Sequence, residues 1–354
     1  MRTVALLFFF PCFMACQQGR EKLPLSEAGI VSPATSQPNT PTAANIVFKS
    51  VDGGQTWQDV SAGLPENIEV GGVYDVDGNV YLGANGGLYH STNPPSVEAW
   101  EKEVFVGDRI THLFSGKTGL YAGVYDRGLF QKIPGTSVWK PMHGALKDKT
   151  VRTVFEAADG AIFVGCDSGI FKTVDGGESW KQVFSEVYIN SFTAAGDVLI
   201  CGTFKGLLRS TDAGEHWDWV LTEDGNVQKT ERIGGLIVAI TRGAGTWQEV
   251  ADDPEGMANR LRVSADGGKT WQRIDEQLSS ARLRSNLGGN LAPVWIVNDI
   301  KQAGDYLFCS LDTGIFRSSD LGQTWELVFP SYGMKLLQLA VSGKEIYAVS
   351  VIGC

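Results

Sequence analysis

Positive charge is scarce in this chain. Its 354 residues carry 30 Lys and Arg against 40 Asp and Glu, a net charge of −10. A nucleic-acid binder needs a basic face, so that class is set aside. Histidine is scarcer: His90, His112, His143 and His216 show no ligand spacing, and no metal is expected. Long apolar runs are missing too. Val4 to Phe10 is too short to span a bilayer. No Gly-x-Ser-x-Gly elbow occurs, which removes support for a serine hydrolase. Gly116-Lys117-Thr118 and Gly268-Lys269-Thr270 imitate the end of a phosphate loop. They lack its upstream glycine and open no helix, so no nucleotide or other cofactor is expected.

What the chain has is one octet, repeated. Ser264-Ala265-Asp266-Gly267-Gly268-Lys269-Thr270-Trp271 is its clearest copy. Ser50 to Trp57, Thr173 to Trp180, Ser210 to Trp217 and Ser318 to Trp325 follow the same pattern. The hydroxyl and the carboxylate can both accept bonds from nearby backbone N–H groups and hold a turn closed. The glycines supply positive φ angles. The Trp is expected to enter the next strand and bury its ring between layers. A repeat at this spacing decides the architecture.

The octet resembles the Asp-box, or BNR repeat, of sialidases, sortilin-type receptors, xyloglucan-cleaving hydrolases and photosystem II assembly factors. The resemblance implies a structural turn at the rim of a β-propeller. On it, Asp52, Trp57, Asp175, Trp180, Asp212, Trp217, Asp266, Trp271, Asp320 and Trp325 are structural and carry no chemistry. Sialidases also need an arginine trio, a Tyr/Glu pair and an early Arg-Ile-Pro. The nearest match, Lys132-Ile133-Pro134, lies in a turn and has Lys for Arg. A glycosidase needs two carboxyl groups at a defined separation, and no pair stands out. No catalytic residue is assigned.

The blades can be counted. Each unit reads strand, hairpin, strand, short loop, strand, box, strand. Six units begin near Asn67, Asp108, Thr150, Val187, Asn226 and Pro293. In the first two the box has decayed, to Ser91-Thr92-Asn93-Pro94-Pro95 and to Pro134-Gly135-Thr136-Ser137-Val138-Trp139. Lys335 to Val351 supplies only two strands, and Ile46 to Val60 supplies two more around the first box. Together they complete a seventh blade and remove both open edges. The expected fold is therefore all-β, a seven-bladed β-propeller of four-stranded antiparallel blades over 46–354. Its last blade is closed by the N- and C-terminal strands, and a monomer is expected. Cys201 and Cys309 fall at equivalent positions of non-neighbouring repeats and cannot pair. They, with Cys166 and Cys354 near strand ends, are expected as buried free thiols.

Residues 1–15 read as a signal peptide, with Arg2 before a short apolar core. Phe13-Met14-Ala15-Cys16 resembles a bacterial lipobox, which implies lipid on Cys16 and, with Gln17 following, the outer membrane. Residues 16–45 are rich in Pro, Ser, Thr and Ala and read as a tether. The expected partner is an envelope protein or a polysaccharide, with membrane attachment through the lipid anchor alone.

One region stands apart. Three long connections cluster around blade five: Thr222 to Arg232, Gly243 to Asn259 and Asp275 to Ala292. By strand order all three leave one face. Long loops on a rigid scaffold are where binding usually resides. They and their flank carry Trp247, Glu249, Asp252, Asp253, Arg282, Arg284, Asn286 and Trp295, a mixture suited to a protein or glycan surface. The alternative is that these loops are solvated and that Trp247 packs on blade five. The corresponding functional readings are a non-catalytic binding or assembly module and, as an alternative, an extracellular glycoside hydrolase or lyase.

Overall fold

The computed structural model describes residues 45–76, 78–92, 99–103, 110–124, 127–142, 144–147, 149–222, 225–242, 259–274, 297–331 and 336–351. They fall within one unit, Pro41–Cys354. They form seven sheets of four antiparallel strands, with no helix among the described residues.

In every blade but the last, the strands lie in chain order. The first strands of neighbouring blades touch in a ring: Val70–Val76, Ile110–Gly116, Val151–Glu156, Ile189–Ala195, Asn226–Ile233, Val297–Ala303 and Leu336–Ser342. The second strands are buried on both faces. Leu199 to Thr203 and Leu307 to Leu311 have no exposed residue, so the sequence there runs apolar without alternating. Blade closure is as expected. Val47–Ser50 pairs with Glu345–Val351 through Phe48 opposite Ala348 and Lys49 opposite Tyr347. Val47, Ala348 and Val349 are fully buried.

The core lies between blades rather than within them. Phe163 and Ile170 of blade three pack with Ile189, Leu199, Leu208 and Trp217 of blade four. Each large apolar side chain so buried contributes about 1.5–3 kcal/mol, which fixes neighbouring sheets face to face. Cys166, Cys201 and Cys309 are buried free thiols, and burial pushes the Cys166 thiol up to about 12. Cys354 lies outside the described residues.

Strand alternation gives the propeller two faces. The first-to-second hairpins and the boxes share one, where Val198 approaches Gly267 of the next blade. The second-to-third turns and the links between blades share the other, where the Phe204 N–H donates to the Tyr188 carbonyl. These are termed the box face and the loop face. One expected long connection is short. Asn226–Ile233 is a strand, so only residues 222–225 join blades four and five, not Thr222 to Arg232. The polar run Gln228-Lys229-Thr230-Glu231-Arg232 disguised a strand that lines the central channel.

Candidate functional site

The boxes come first, because they hold most of the sequence-marked aspartates. In each, the Ser or Thr hydroxyl donates to one carboxylate oxygen and accepts the N–H of the fifth-position glycine, as Ser50 does with Asp52 at 2.9 Å and Gly54 at 2.9 Å. The carboxylate also takes backbone N–H groups and the seventh side chain. Asp52 accepts from Thr56 N–H at 2.9 Å and Thr56 Oγ1 at 2.6 Å. His216 takes the hydroxyl's place at 2.6 Å from Asp212. These bonds, the Thr56 side chain foremost, hold Asp52 at about 2. Asp320 is held at about 2 by Thr324 in the same way. Asp175, Asp212 and Asp266 are also lowered by their own box partners. A carboxylate so engaged has little capacity left for a ligand.

Two details differ from the sequence reading. The box Trp stands one residue before the fourth strand rather than inside it, and of the five only Trp217 is buried, the others half-buried. The indole N–H of Trp57, Trp217, Trp271 and Trp325 donates to the box's own fifth-position carbonyl, so the ring closes the turn while its face packs on an inter-blade core. Position four is not free either. It has positive φ in Gly53, Gly176, Gly267, Ala213 and Leu321 alike.

A clasp between blades went unforeseen. Lys172 donates to the Ala213 carbonyl of the next blade's box at 2.9 Å, Arg209 to Gly267 at 2.8 Å and Arg317 to Gly53 at 2.5 Å. Each is the residue just before its own box. Lys172 is buried and also meets Glu215, whose carboxyl Lys172 and Lys181 hold at about 2. A basic residue preceding the box was the available signal.

The loop face opens on the central channel, a cavity of about 830 Å³ lined by the first strands. On the side of blades five and six its charges are matched. Lys229 meets Asp299, and Lys301 lies 2.7 Å from Glu231. Burial works against the Lys301 charge, but Glu231 and Asp299 outweigh it and its pKa is raised. Asp299 also accepts from the backbone N–H of Ile300 and Leu339 at 2.7 and 3.0 Å, capping the open inner edge of blade seven.

The side of blades two to four is different. Near the start of the inner strand a β-bulge sets one residue out of register in blades one to six. In blade four this is Asn190, whose amide donates to the Val227 carbonyl at 2.9 Å. In blade six it is Asn298, donating to Leu337 at 2.6 Å. In blade three it is Arg152, which makes no ion pair with a described residue. Its buried Nε has no partner, and its guanidinium lies 5.2 Å from the centre of the Tyr188 ring. Tyr188 and Phe204 are 47% and 52% exposed with ring centres 5.6 Å apart. His112 lines the channel nearby with its Nδ1 unpartnered. Burial, then the Arg152 charge, lowers its pKa to about 4, so it is neutral at pH 7. Farther round the face, burial raises the Asp312 carboxyl to about 6, and its Oδ1 has no partner.

The loop residues chosen from sequence, Trp247, Glu249, Asp252, Asp253, Arg282, Arg284, Asn286 and Trp295, lie outside the described residues, as does Cys16. The strand ends that carry the middle loop are described. Arg242 and Asn259 pair directly, at the position that Thr203 and Gly206 hold in blade four. Among the described residues no group of three or more His, Cys, Asp or Glu gathers to hold a metal.

These features define an Asp-box β-propeller of seven blades. The BNR/Asp-box repeat family model matches residues 262–273, the box of blade five and its flanks. No curated protein matches the sequence. Among solved structures the chain is similar to YCF48 bound to D1 peptide, at 10% identity and TM-score 0.55, covering 88% of this chain and 100% of that one. It is similar to YCF48 from Cyanidioschyzon merolae at 13% identity and TM-score 0.56, covering 81% and 97%. An ancestral GH74 enzyme aligns at 15% identity and TM-score 0.55, covering 87% of this chain but 45% of the enzyme, so the chain spans less than half of its length. These likenesses concern the fold; enzymes and a peptide-binding protein share it.

Proposed function

We propose that the protein is a non-catalytic binding or assembly module of the bacterial envelope. Lipid on Cys16 tethers it, and its loop face takes a protein or glycan partner. One observation carries this reading. The box face uses its polar groups internally, whereas the loop face presents the exposed Tyr188–Phe204 pair beside an arginine without an ionic partner. Aromatic rings and arginine are the residues that dominate binding energy at interfaces. The blade-five loops extend that surface in this reading, with Trp247 and Arg284 as contacts.

Two measurements test it. Cys16→Ser should move the protein from the detergent phase to the aqueous phase with its melting unchanged; persistent membrane association rejects the lipid anchor. Trp247→Ala with Arg284→Ala should abolish capture of a specific envelope partner while melting hardly shifts, since surface changes usually cost within about 0.5 kcal/mol. A large melting shift would place Trp247 in the core. The competing reading, a glycoside hydrolase, draws on Asp312, whose raised pKa suits a general acid. Turnover of a sialoside or plant glycan that disappears in Asp312→Asn would replace the binding reading.

A further inference from the structure

We propose that Arg152, His112 and the Tyr188–Phe204 pair form a binding site for an oxyanion carried on a ring, at the loop-face mouth of the channel. The inference rests on the loop face being the binding face, and it names the ligand chemistry.

The first support is what Arg152 fails to do. Asn190 and Asn298 hold the same bulge position in blades four and six, and both tie the next blade through a short amide-to-carbonyl bond. In both, the bulged side chain is spent on the neighbouring backbone. Arg152 makes no such bond; its guanidinium lies against Tyr188 instead. The second support is charge. Lys229 and Lys301, the lysines on the opposite wall, are matched to Asp299 and Glu231. Arg152 meets no carboxylate among the described residues, so a positive group with bidentate geometry faces the cavity unneutralised. A planar guanidinium takes carboxylate, sulfate or phosphate through two parallel N–H bonds.

His112 adds to this. It is stacked at 5.9 Å on Phe114 and lines the same wall. An oxyanion set between it and Arg152 would offset the burial and the Arg152 charge that together keep it neutral. The two rings supply the remaining specificity. Tyr188 and Phe204 pair beside Arg152 with about half their surface in water, a cost that a ligand ring lying on them removes. An anion without a ring gains only the guanidinium contact.

The test follows the His112 ring resonances of the full chain by NMR, with acetate, benzoate, glucuronate and inorganic phosphate as probes. Benzoate or glucuronate should saturate in the millimolar range and raise the His112 pKa, with acetate and phosphate weaker. Arg152→Gln should weaken the ring-bearing anion about tenfold or more. Tyr188→Ala with Phe204→Ala, both exposed, should bring it to the level of acetate. Tight phosphate with weak benzoate would overturn the ring requirement. No saturable shift with any probe, or an unchanged response in Arg152→Gln, would overturn the site. If Arg152→Gln does not fold, the exposed double variant decides alone. Failure of these probes while the Trp247/Arg284 variant still loses its partner would remove this site and leave the loop face as the binding face.

Discussion

The box face and the loop face are built from the same seven sheets, yet they finish their hydrogen bonds differently. On the box face each of the five boxes closes its hydroxyl and carboxylate within eight residues, and Lys172, Arg209 and Arg317 each reach the next box. The indole N–H of Trp180 has no partner. On the loop face Arg152 Nε, Ser168 Oγ, Asp312 Oδ1 and Thr313 Oγ1 are buried without partners. Buried unsatisfied groups cost about 1–3 kcal/mol each. A fold that closes one rim so thoroughly shows that its architecture can satisfy such groups. Leaving them open on the other rim marks where stability is not what those residues serve.

Breaking the ring itself has the largest expected effect. Deleting 46–60 removes two of the four strands of the seventh blade, including the Val47–Ser50 pairing with Glu345–Val351. Both faces lose their closure at once. Native stability is only about 5–15 kcal/mol, so the truncated chain should aggregate or lose its cooperative melt. Deleting 17–42 should leave melting unchanged. Equal melting of the two deletions would contradict the shared blade.

Next comes a single methyl group on the box face. Gly214 has φ +78°, and a Cβ there would lie 2.3 Å from Phe163 of the preceding blade. Gly214→Ala should cost about 2–4 kcal/mol, from the left-handed backbone and from overpacking together. Gly267→Ala, at φ +70° with its nearest neighbour 4.0 Å away, should cost only about 1 kcal/mol. Denaturant midpoints of the two variants measure the difference. Equal costs would mean that the box does not rest on the neighbouring blade.

How much of this was legible depends on range. The box is local: hydroxyl, carboxylate, glycine and Trp sit within one octet, so the repeat gave the fold, the blade count and the closure. The clasp was legible only to a reader who aligned Lys172, Arg209 and Arg317 one position before the boxes. Position four was hidden because Ala213 and Leu321 tolerate an angle that favours glycine. The loop-face site was not legible. Arg152, His112 and Tyr188 come from three blades and look like ordinary residues of strands and links. Aligning the inner strands would have set Arg152 beside Asn190 and Asn298, but the bulge that makes this register meaningful is a feature of pairing, not of composition. Loop length pointed to the loop face through segments outside the described residues.

Acid separates the faces further. His112 titrates near 6.5 when unfolded and at about 4 when folded, so the unfolded chain binds its proton first. Its contribution is lost as pH falls from about 6.5 to 4. Asp312 has the opposite sign. Its folded value of about 6 exceeds the unfolded 3.8, so stability rises as pH falls through the same range. The two oppose each other, and the native protein should melt almost evenly between pH 6 and 4. His112→Gln should then gain stability on acidification, and Asp312→Asn should lose it. The box aspartates act lower. Asp52 and Asp320, held at about 2, give up their contribution only below about pH 4. Parallel curves for the two variants would show that neither group titrates as its burial implies.

The smallest expected effect tests the box face at its one loose position. Leu321 stands at box position four with φ 58° and is 58% exposed. Its side chain gains little from burial, while its Cβ strains against the following carbonyl, a cost of about 1–2 kcal/mol. Glycine relieves that strain but adds freedom to the unfolded chain, which takes back about 0.4–1 kcal/mol. Leu321→Gly should therefore stabilise by about 0.5–1 kcal/mol, the difference of those two. Ala213→Gly should gain less, because the Ala213 carbonyl is already fixed by Lys172. That carbonyl bond holds the turn in place in both sequences, so part of the strain is carried by the clasp. Combining Ala213→Gly with Lys172→Met separates the two contributions in a double-mutant cycle. Additive effects would mean that clasp and turn are independent. A coupling above about 0.5 kcal/mol would mean that the blades are held through the box backbone itself.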